Sequence, residues 1–197
     1  MLQFYKPNPS SKGSACSFWV DAKGSIMSSQ IKQHSWDDKA KKGSFSENKD
    51  NPNGKVMVKF SQAEAAGIIN AIERNSSFSA YHQSSKQVVQ IAFEGYWKKQ
   101  KQGNEWVKTG DQLGFSYRIT WTPKDDSTNK NTVVIGLDWN ESKLLQLYLE
   151  ESLRKTFDFK EMDYKPQGEK GNYSNSPSPK KKTEKATVPE EDDDLEW

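Results

Sequence analysis

Apolar and polar side chains alternate with a period of two through most of the chain ahead of Asp138, which predicts a fold dominated by half-buried strands. In QVVQIAFEGYWKK, one face carries Val89, Ile91, Phe93 and Trp97, and the other Val88, Gln90, Glu94, Tyr96 and Lys98. LGFSYRITWTP likewise aligns Phe115, Tyr117, Ile119 and Trp121 against Ser116, Arg118, Thr120 and Thr122. KVMVKF gathers Val56, Val58 and Phe60, and TVVIGL gathers Val133, Ile135 and Leu137. Further strands are expected at CSFWVDA, SIMSSQIKQHSW and NEWVKT, separated by turn-forming AKGS, NKDNPNG and PKDDSTNKN.

Two segments follow a helical period, and both begin the same way. After the strand ending at Phe60, Ser61 and Glu64 form a capping box ahead of Ile68, Ile69 and Ile72. After the strand ending at Leu137, Asp138 and Glu141 repeat the box ahead of Leu144, Leu145, Tyr148, Leu149 and Leu153. The matching junctions predict an internal duplication, and hence an α+β fold of two β4α units, each a run of antiparallel strands closed by a capped helix. An OB barrel is the alternative, disfavoured by the second helix and by the strand count. The Leu-rich face of the second helix is too apolar to stay wet, so a homo-oligomer is expected.

Around this domain, placed at residues 16–159, the composition changes. Residues 1–15, with Pro7, Pro9 and a Ser-Ser-Lys-Gly run, read as an extended arm. Residues 160–189 are rich in Lys, Ser, Pro and Gly without apolar period, which predicts a disordered linker. Residues 190–197, EEDDDLEW, form an acidic tail. The formal charge of +2 hides this division: the tail holds six of the 27 acids, so the rest of the chain sets 29 bases against 21 acids, a net of +8. A cationic body with an anionic terminus points to a polyanionic partner.

Other chemistry is scarce. The lone Cys16 closes no intrachain disulfide, and His34 and His82 lack metal-ligand spacing, so neither a metal nor a cofactor is expected. Neither a phosphate loop nor a nucleophile elbow is found, and the Asp37–Asp38 and Asp125–Asp126 pairs sit in hydrophilic turns, so no catalytic residue is assigned. The absence of a long apolar run or a leader pattern argues against a membrane and for a cytoplasmic protein.

A strand feeding directly into a capped amphipathic helix, in KVMVKFSQAEAAGIINAIE and again in NTVVIGLDWNESKLLQLYLEESL, resembles the unit of the Whirly and positive-cofactor-four family of single-stranded nucleic-acid-binding proteins. Two units in one chain resemble the Whirly arrangement. The terminal Asp192, Asp193, Asp194, Leu195, Glu196 and Trp197 resemble the acidic, aromatic-ended tail of bacterial and phage single-stranded DNA-binding proteins. Bacterial tails usually finish Pro-Phe, so Leu195 and Trp197 favour a viral or divergent chain over a bacterial housekeeping one. These resemblances imply binding of single-stranded DNA or RNA, and a tail that recruits replication or recombination proteins.

Binding single strands without sequence preference requires cations for phosphates and exposed aromatic faces for bases. HSWDDKAKK, GYWKKQK, EWVKT and SYRITW interleave the two. Alternation assigns Trp97 and Trp121 to the core, which leaves Trp19, Trp36, Tyr96 and Trp106 as stacking candidates. Lys32, His34, Lys59, Lys98, Lys99, Lys108 and the mid-strand Arg118 are the candidate phosphate or base contacts.

Overall fold

A computed structural model describes residues 1–163. Two four-stranded antiparallel sheets face each other, and each half of the chain ends in a helix. The first sheet runs in the order β1 (Leu2–Lys6), β2 (Ser14–Val20), β3 (Ile26–Lys32) and β6 (Lys55–Phe60). A small hairpin, β4 (Ser35–Asp37) and β5 (Lys42–Ser44), is inserted between β3 and β6. The second sheet comprises β7 (Phe78–Gln83), β8 (Gln87–Gln102), β9 (Glu105–Pro123) and β10 (Asn131–Asp138), each paired with its chain neighbour. Helices α1 (Gln62–Glu73) and α2 (Trp139–Asp163) follow β6 and β10 directly. Both sheets are open, so the barrel alternative falls and the two β4α units stand.

Local chemistry explains the junctions. Ser61 Oγ accepts from the Glu64 backbone N–H while Glu64 accepts from the Ser61 N–H. Asp138 and Glu141 exchange the same pair of bonds at 2.8 and 2.9 Å. Each box satisfies orphan donors of the first helical turn without a connecting loop, which is why strand passes straight into helix. At the far end of α1, Asn75 takes a left-handed φ of +47°, a conformation asparagine tolerates, and the Ser76 N–H bonds back to the Ala71 carbonyl to stop the helix.

The core lies between the inward faces of the two sheets and under the helices. Phe18, Phe60 and Tyr117 form an aromatic trio with centroids 5.6–6.5 Å apart, and Phe93 stacks on Phe115 at 4.9 Å. Polar bonds cross the seam as well. The Tyr117 hydroxyl donates to Ser28, Gln30 Nε2 donates to the Tyr117 carbonyl, and Ser14 Oγ donates to the Val134 carbonyl. Burial pushes both the Tyr117 phenol and the Cys16 thiol far up, so both stay neutral. The helices lie antiparallel, joined by Gln62 to Thr156 at one end and Gln146 to Glu73 at the other.

Several sequence expectations need correction. Residues 1–15 are no separate arm: Leu2–Lys6 pairs with β2 along its whole length and buries Phe4, and only the Pro7–Lys12 stretch loops out. SIMSSQIKQHSW is two strands, because Gln33 is buried and turns inward to bond Asn8, Gly13 and Ser35. NEWVKT and LGFSYRITWTP form a single strand, β9. FSAYHQ, overlooked because its outward positions are polar, is the edge strand β7. On α2, Leu145 and Leu149 are buried but Leu144 is exposed. That helix continues to Asp163, past the expected domain end at 159, and the remainder of the linker and the 190–197 tail lie outside the described residues.

One consequence concerns acid stability. His82 Nε2 lies 2.6 Å from Glu64 Oε1, tying β7 to the cap of α1. Burial alone would raise the Glu64 carboxyl, but bonds from the Ser61 N–H and from His82 outweigh it, so the group is held below its ordinary value of 4.5. The unfolded chain therefore takes up this proton more readily. The stabilisation is complete above pH 4.5 and is lost as pH falls through the lower, folded value. Glu64→Gln keeps an acceptor for the cap but no charge; it is expected to lower Tm at pH 6 and to flatten the decline of Tm below pH 4.5, measured by thermal melts across pH.

Candidate nucleic-acid interface

With both inward faces occupied, function falls to the outward ones. On the first sheet, the register aligns Trp19, Met27 and Lys59 in one row across β2, β3 and β6. The next row holds Gln3, Ser17, Ser29 and Met57, and the third Tyr5, Ala15, Ile31 and Lys55. Adjacent strands are about 4.8 Å apart, so each row spans some 10–15 Å, the length of two or three nucleotides. Tyr5 and Met57 are about half exposed, and no outward position on the four strands carries a carboxylate. Lys55 and Lys59 form no ion pair among the described residues. Asp21 lies in the β2–β3 turn, close enough to feel the Lys59 charge. Backbone N–H groups of Ser25 and Lys23 hold it below the ordinary carboxylate range, with a smaller contribution from the Lys59 charge.

The β4–β5 hairpin extends this surface. Tyr5 donates its hydroxyl to the Gly43 carbonyl at 2.8 Å, and its ring meets Phe45 at 5.1 Å. Gly43 is required here, because a Cβ would sit 2.7 Å from Pro7 and 3.0 Å from Gln33. Trp36, Lys42, Phe45 and Lys49 line a shallow depression of about 520 Å³ beside it. Trp36 Nε1 donates to Asp38, and His34 pairs with Glu47 at 2.8 Å.

The second sheet presents a different surface. Arg118 projects outward, as alternation predicts, but meets Glu94 at 3.0 Å, an exposed ion pair. Beside it Ser79, Tyr81, Gln90, Thr120 and Lys130 line an open depression of about 570 Å³. Tyr96 is exposed, its ring lying against Gly136. Beyond Tyr96, β8 and β9 leave the sheet as a two-stranded ribbon in which Lys98 pairs with Thr109, Lys99 with Lys108, and Lys101 with Trp106. The ribbon root is fixed by Trp139, whose Nε1 donates to the Gln112 carbonyl at 3.0 Å and whose ring packs edge-on against Phe115.

The expected residues therefore divide among several places. Trp19 and Lys59 share the first sheet's outward face; His34 and Trp36 flank the small hairpin; Tyr96 and Arg118 lie on the second sheet; Lys98, Lys99, Trp106 and Lys108 belong to the ribbon. Lys32 does not belong with them. Its ammonium reaches across to the Asn53 carbonyl and to Asn131, lies 5.0 Å over the Trp121 ring, and is pushed down in pKa by burial. Trp121 is core, as expected, with its N–H on the Pro52 carbonyl, whereas Trp97 is only half buried, at the ribbon root. Sequence reading passed over Tyr5, Met27, Ile31, Lys55 and Met57. A signal existed for two of them: in SIMSSQIK the inward positions include Ser28 and Gln30 while Met27 and Ile31 point out, an inversion of the usual polarity of a half-buried strand.

Solved structures with this architecture include Whirly proteins. WHY3 from Arabidopsis thaliana superposes with a TM-score of 0.53 at 11% identity, over 82% of this chain and 90% of that one. WHY1 from the same plant gives 0.51 at 12% identity, over 81% and 91%. The plant transcriptional regulator PBF-2 gives 0.53 at 12% identity, over 84% and 87%. The likeness establishes a Whirly-like fold. No protein-family model and no curated protein matches the sequence.

Two substitutions separate structural from surface cations. Lys32→Ala removes charge-assisted bonds at the sheet seam and is expected to cost about 1–3 kcal/mol in urea unfolding. Arg118→Ala breaks only an exposed pair and is expected to cost less than about 1 kcal/mol in the same measurement.

Proposed function

We propose that this protein binds single-stranded nucleic acid, DNA above all, without sequence preference and without catalysing a reaction on it. The observation that carries this reading is the outward face of the first sheet, where Trp19, Tyr5, Met27 and Met57 stand among Lys55 and Lys59 with no carboxylate between them. An aromatic face accepts any base, each stack contributing about 1–3 kcal/mol, and lysines follow phosphates as point charges. Sequence readout relies on Arg forks. The three arginines lie elsewhere: Arg118 faces Glu94, Arg154 lies 3.9 Å from Glu151, and Arg74 caps α1. The Whirly-like fold and the cationic balance of residues 1–189 support the same reading.

The role follows from the terminus. The protein coats strands during replication or recombination, in a viral setting and in the cytoplasm of the cell, and its acidic tail recruits partner proteins through Leu195 and Trp197. On α2, Leu144, Leu147 and Phe157 are about half exposed, an apolar surface that a homo-oligomer would cover. A transcriptional or RNA-binding regulator of the same fold would differ by preferring a particular sequence or RNA.

A titration of intrinsic Trp emission tests the reading. Oligo-dT is expected to quench emission at low salt, duplex DNA much less, with log Kd rising steeply against log salt because lysines supply the contacts. Trp19→Ala and Lys59→Gln should weaken binding while leaving Tm nearly unchanged. Absence of quenching by any oligonucleotide at low salt overturns the proposal; quenching by oligo-U alone replaces it with the RNA reading.

The tail carries its own test. It holds six acids on the same chain as the cationic body, and a tethered anion competes with DNA within the same molecule. Deleting residues 190–197 is expected to raise DNA affinity at low salt, with the gain fading as salt rises. Trp197→Ala should abolish partner recruitment in a pull-down without changing DNA affinity. Unchanged affinity at every salt, together with retained partners, would reduce the tail to a solubilising segment.

A further inference from the structure

The root of the β8–β9 ribbon holds an aromatic ring in an unusual setting. All the extra residues at the two register shifts belong to β9, Leu113 at the first and Gly110–Asp111 at the second, so β8 continues its alternation undisturbed. That alternation places Trp97 on the same side as Gly95, and the indole folds back over it. A Cβ on Gly95 would lie 2.2 Å from the ring, so only glycine lets the indole rest on the backbone there. The Lys108 ammonium lies over a face of the ring, 3.7 Å from its centroid. Lys108 is exposed and forms no ion pair among the described residues.

We propose that this face of Trp97 is a nucleobase site that Lys108 keeps filled in the free protein, and that a nucleotide of the bound strand displaces it. The base takes the indole face and its phosphate takes the ammonium. The exchange is favourable on chemical grounds. An exposed cation–π contact is weaker than a base stack, and the displaced ammonium gains a phosphate in place of a ring. Gly95 makes the indole a rigid floor, so stacking orders no further side chain. Gly110, with φ +73° and open space around its Cα, gives the Lys108 strand room to shift. Lys101, exposed and of the same parity as Trp97 along β8, continues the cationic path outward.

The inference rests on the nucleic-acid reading but concerns a surface separate from the first sheet. It is tested on the full chain with Trp97→Leu, Trp97→Phe and Lys108→Gln, titrated with oligo-dT and oligo-U by fluorescence anisotropy at several salt concentrations. Trp97→Leu is expected to weaken binding about 10- to 100-fold, and Trp97→Phe to recover most of that loss, because it restores an aromatic face. Lys108→Gln should lower the slope of log Kd against log salt by about 0.7, one phosphate's worth. Equal losses with both oligonucleotides mean a site that ignores the sugar; a loss with one alone assigns the site to DNA or to RNA.

Wild-type affinity in Trp97→Leu, or equal losses in the Leu and Phe variants, overturns the proposal. If Trp97→Leu fails to fold, Trp97→Phe and Lys108→Gln decide, and an unchanged salt slope in the latter overturns it. Trp19→Ala separates this site from the first-sheet face. Wild-type binding in Trp19→Ala beside a weakened Trp97→Leu discards the sheet face and keeps the ribbon site, and the converse does the opposite.

Discussion

Each four-stranded sheet can hide only one face behind the other, and the rest of the structure depends on how that single seam is made. Phe18, Phe60 and Tyr117 supply its apolar centre, but apolar packing alone tolerates sliding. The bonds from Tyr117 to Ser28, from Gln30 to the Tyr117 carbonyl and from Ser14 to the Val134 carbonyl do not. They tie β2 and β3 to β9 and β10 at fixed residues and so set one half of the duplicated chain against the other. The arrangement has a cost, since Gln30 Oε1 is buried and accepts no hydrogen bond from the described residues, and an unsatisfied buried acceptor costs about 1–3 kcal/mol. A polar seam of this kind favours a unique alignment over maximal stability.

Once the seam is closed, the helices have no sheet centre to cover. The antiparallel α1–α2 pair, held at both ends by glutamine bonds, closes the core instead, and both outward sheet faces remain bare. Solvent ordinarily selects polar residues for such faces. The second sheet turns out Ser79, Gln90, Ser116, Thr120 and Thr132 but also Tyr81, Tyr96 and Val134; the first carries Trp19, Met27, Ile31, Met57 and Tyr5. The two faces differ most plainly in charge, Lys55 and Lys59 standing on the first without an outward carboxylate and Arg118 facing Glu94 on the second.

How much of this could be read beforehand depended on whether one strand sufficed to define a position. β6, β8, β10 and the sheet portion of β9 bury every second side chain, and both capping boxes are local, so they were legible residue by residue. β1 was obscured by Pro7 and Pro9, which lie just past its end, and β7 by its polar outward side. Lys32 illustrates the deeper limit. Its parity with Ser28 and Gln30 already pointed it inward, but only the partners brought by other elements, Asn53, Asn131 and Trp121, show why an ammonium can lie there. The platform on the first sheet was similarly hidden, because Trp19 and Lys59 become neighbours through register across β3 rather than through sequence.

The ribbon shows why pattern and geometry had to part at Trp97. Alternation placed it with Ile91 and Phe93, and it does occupy their side of β8, but the sheet ends beneath it. Gly114, at φ +145° with the Leu137 carbonyl 2.1 Å from where a Cβ would be, lets β9 press against the end of β10 before the first register shift. Past that point no inward partner remains, and a residue placed for the core becomes a half-buried ring on the surface. The first turn of α2 joins this root to the other sheet: Trp139 bonds Gln112, and Glu141, itself part of the capping box, pairs with Lys6 at the end of β1. The same cap that lets strand pass into helix thus holds the edge of the aromatic sheet and the root of the ribbon against one rigid helical turn. A flexible strand meeting both would find them already in place, so that little binding energy is spent on ordering the protein.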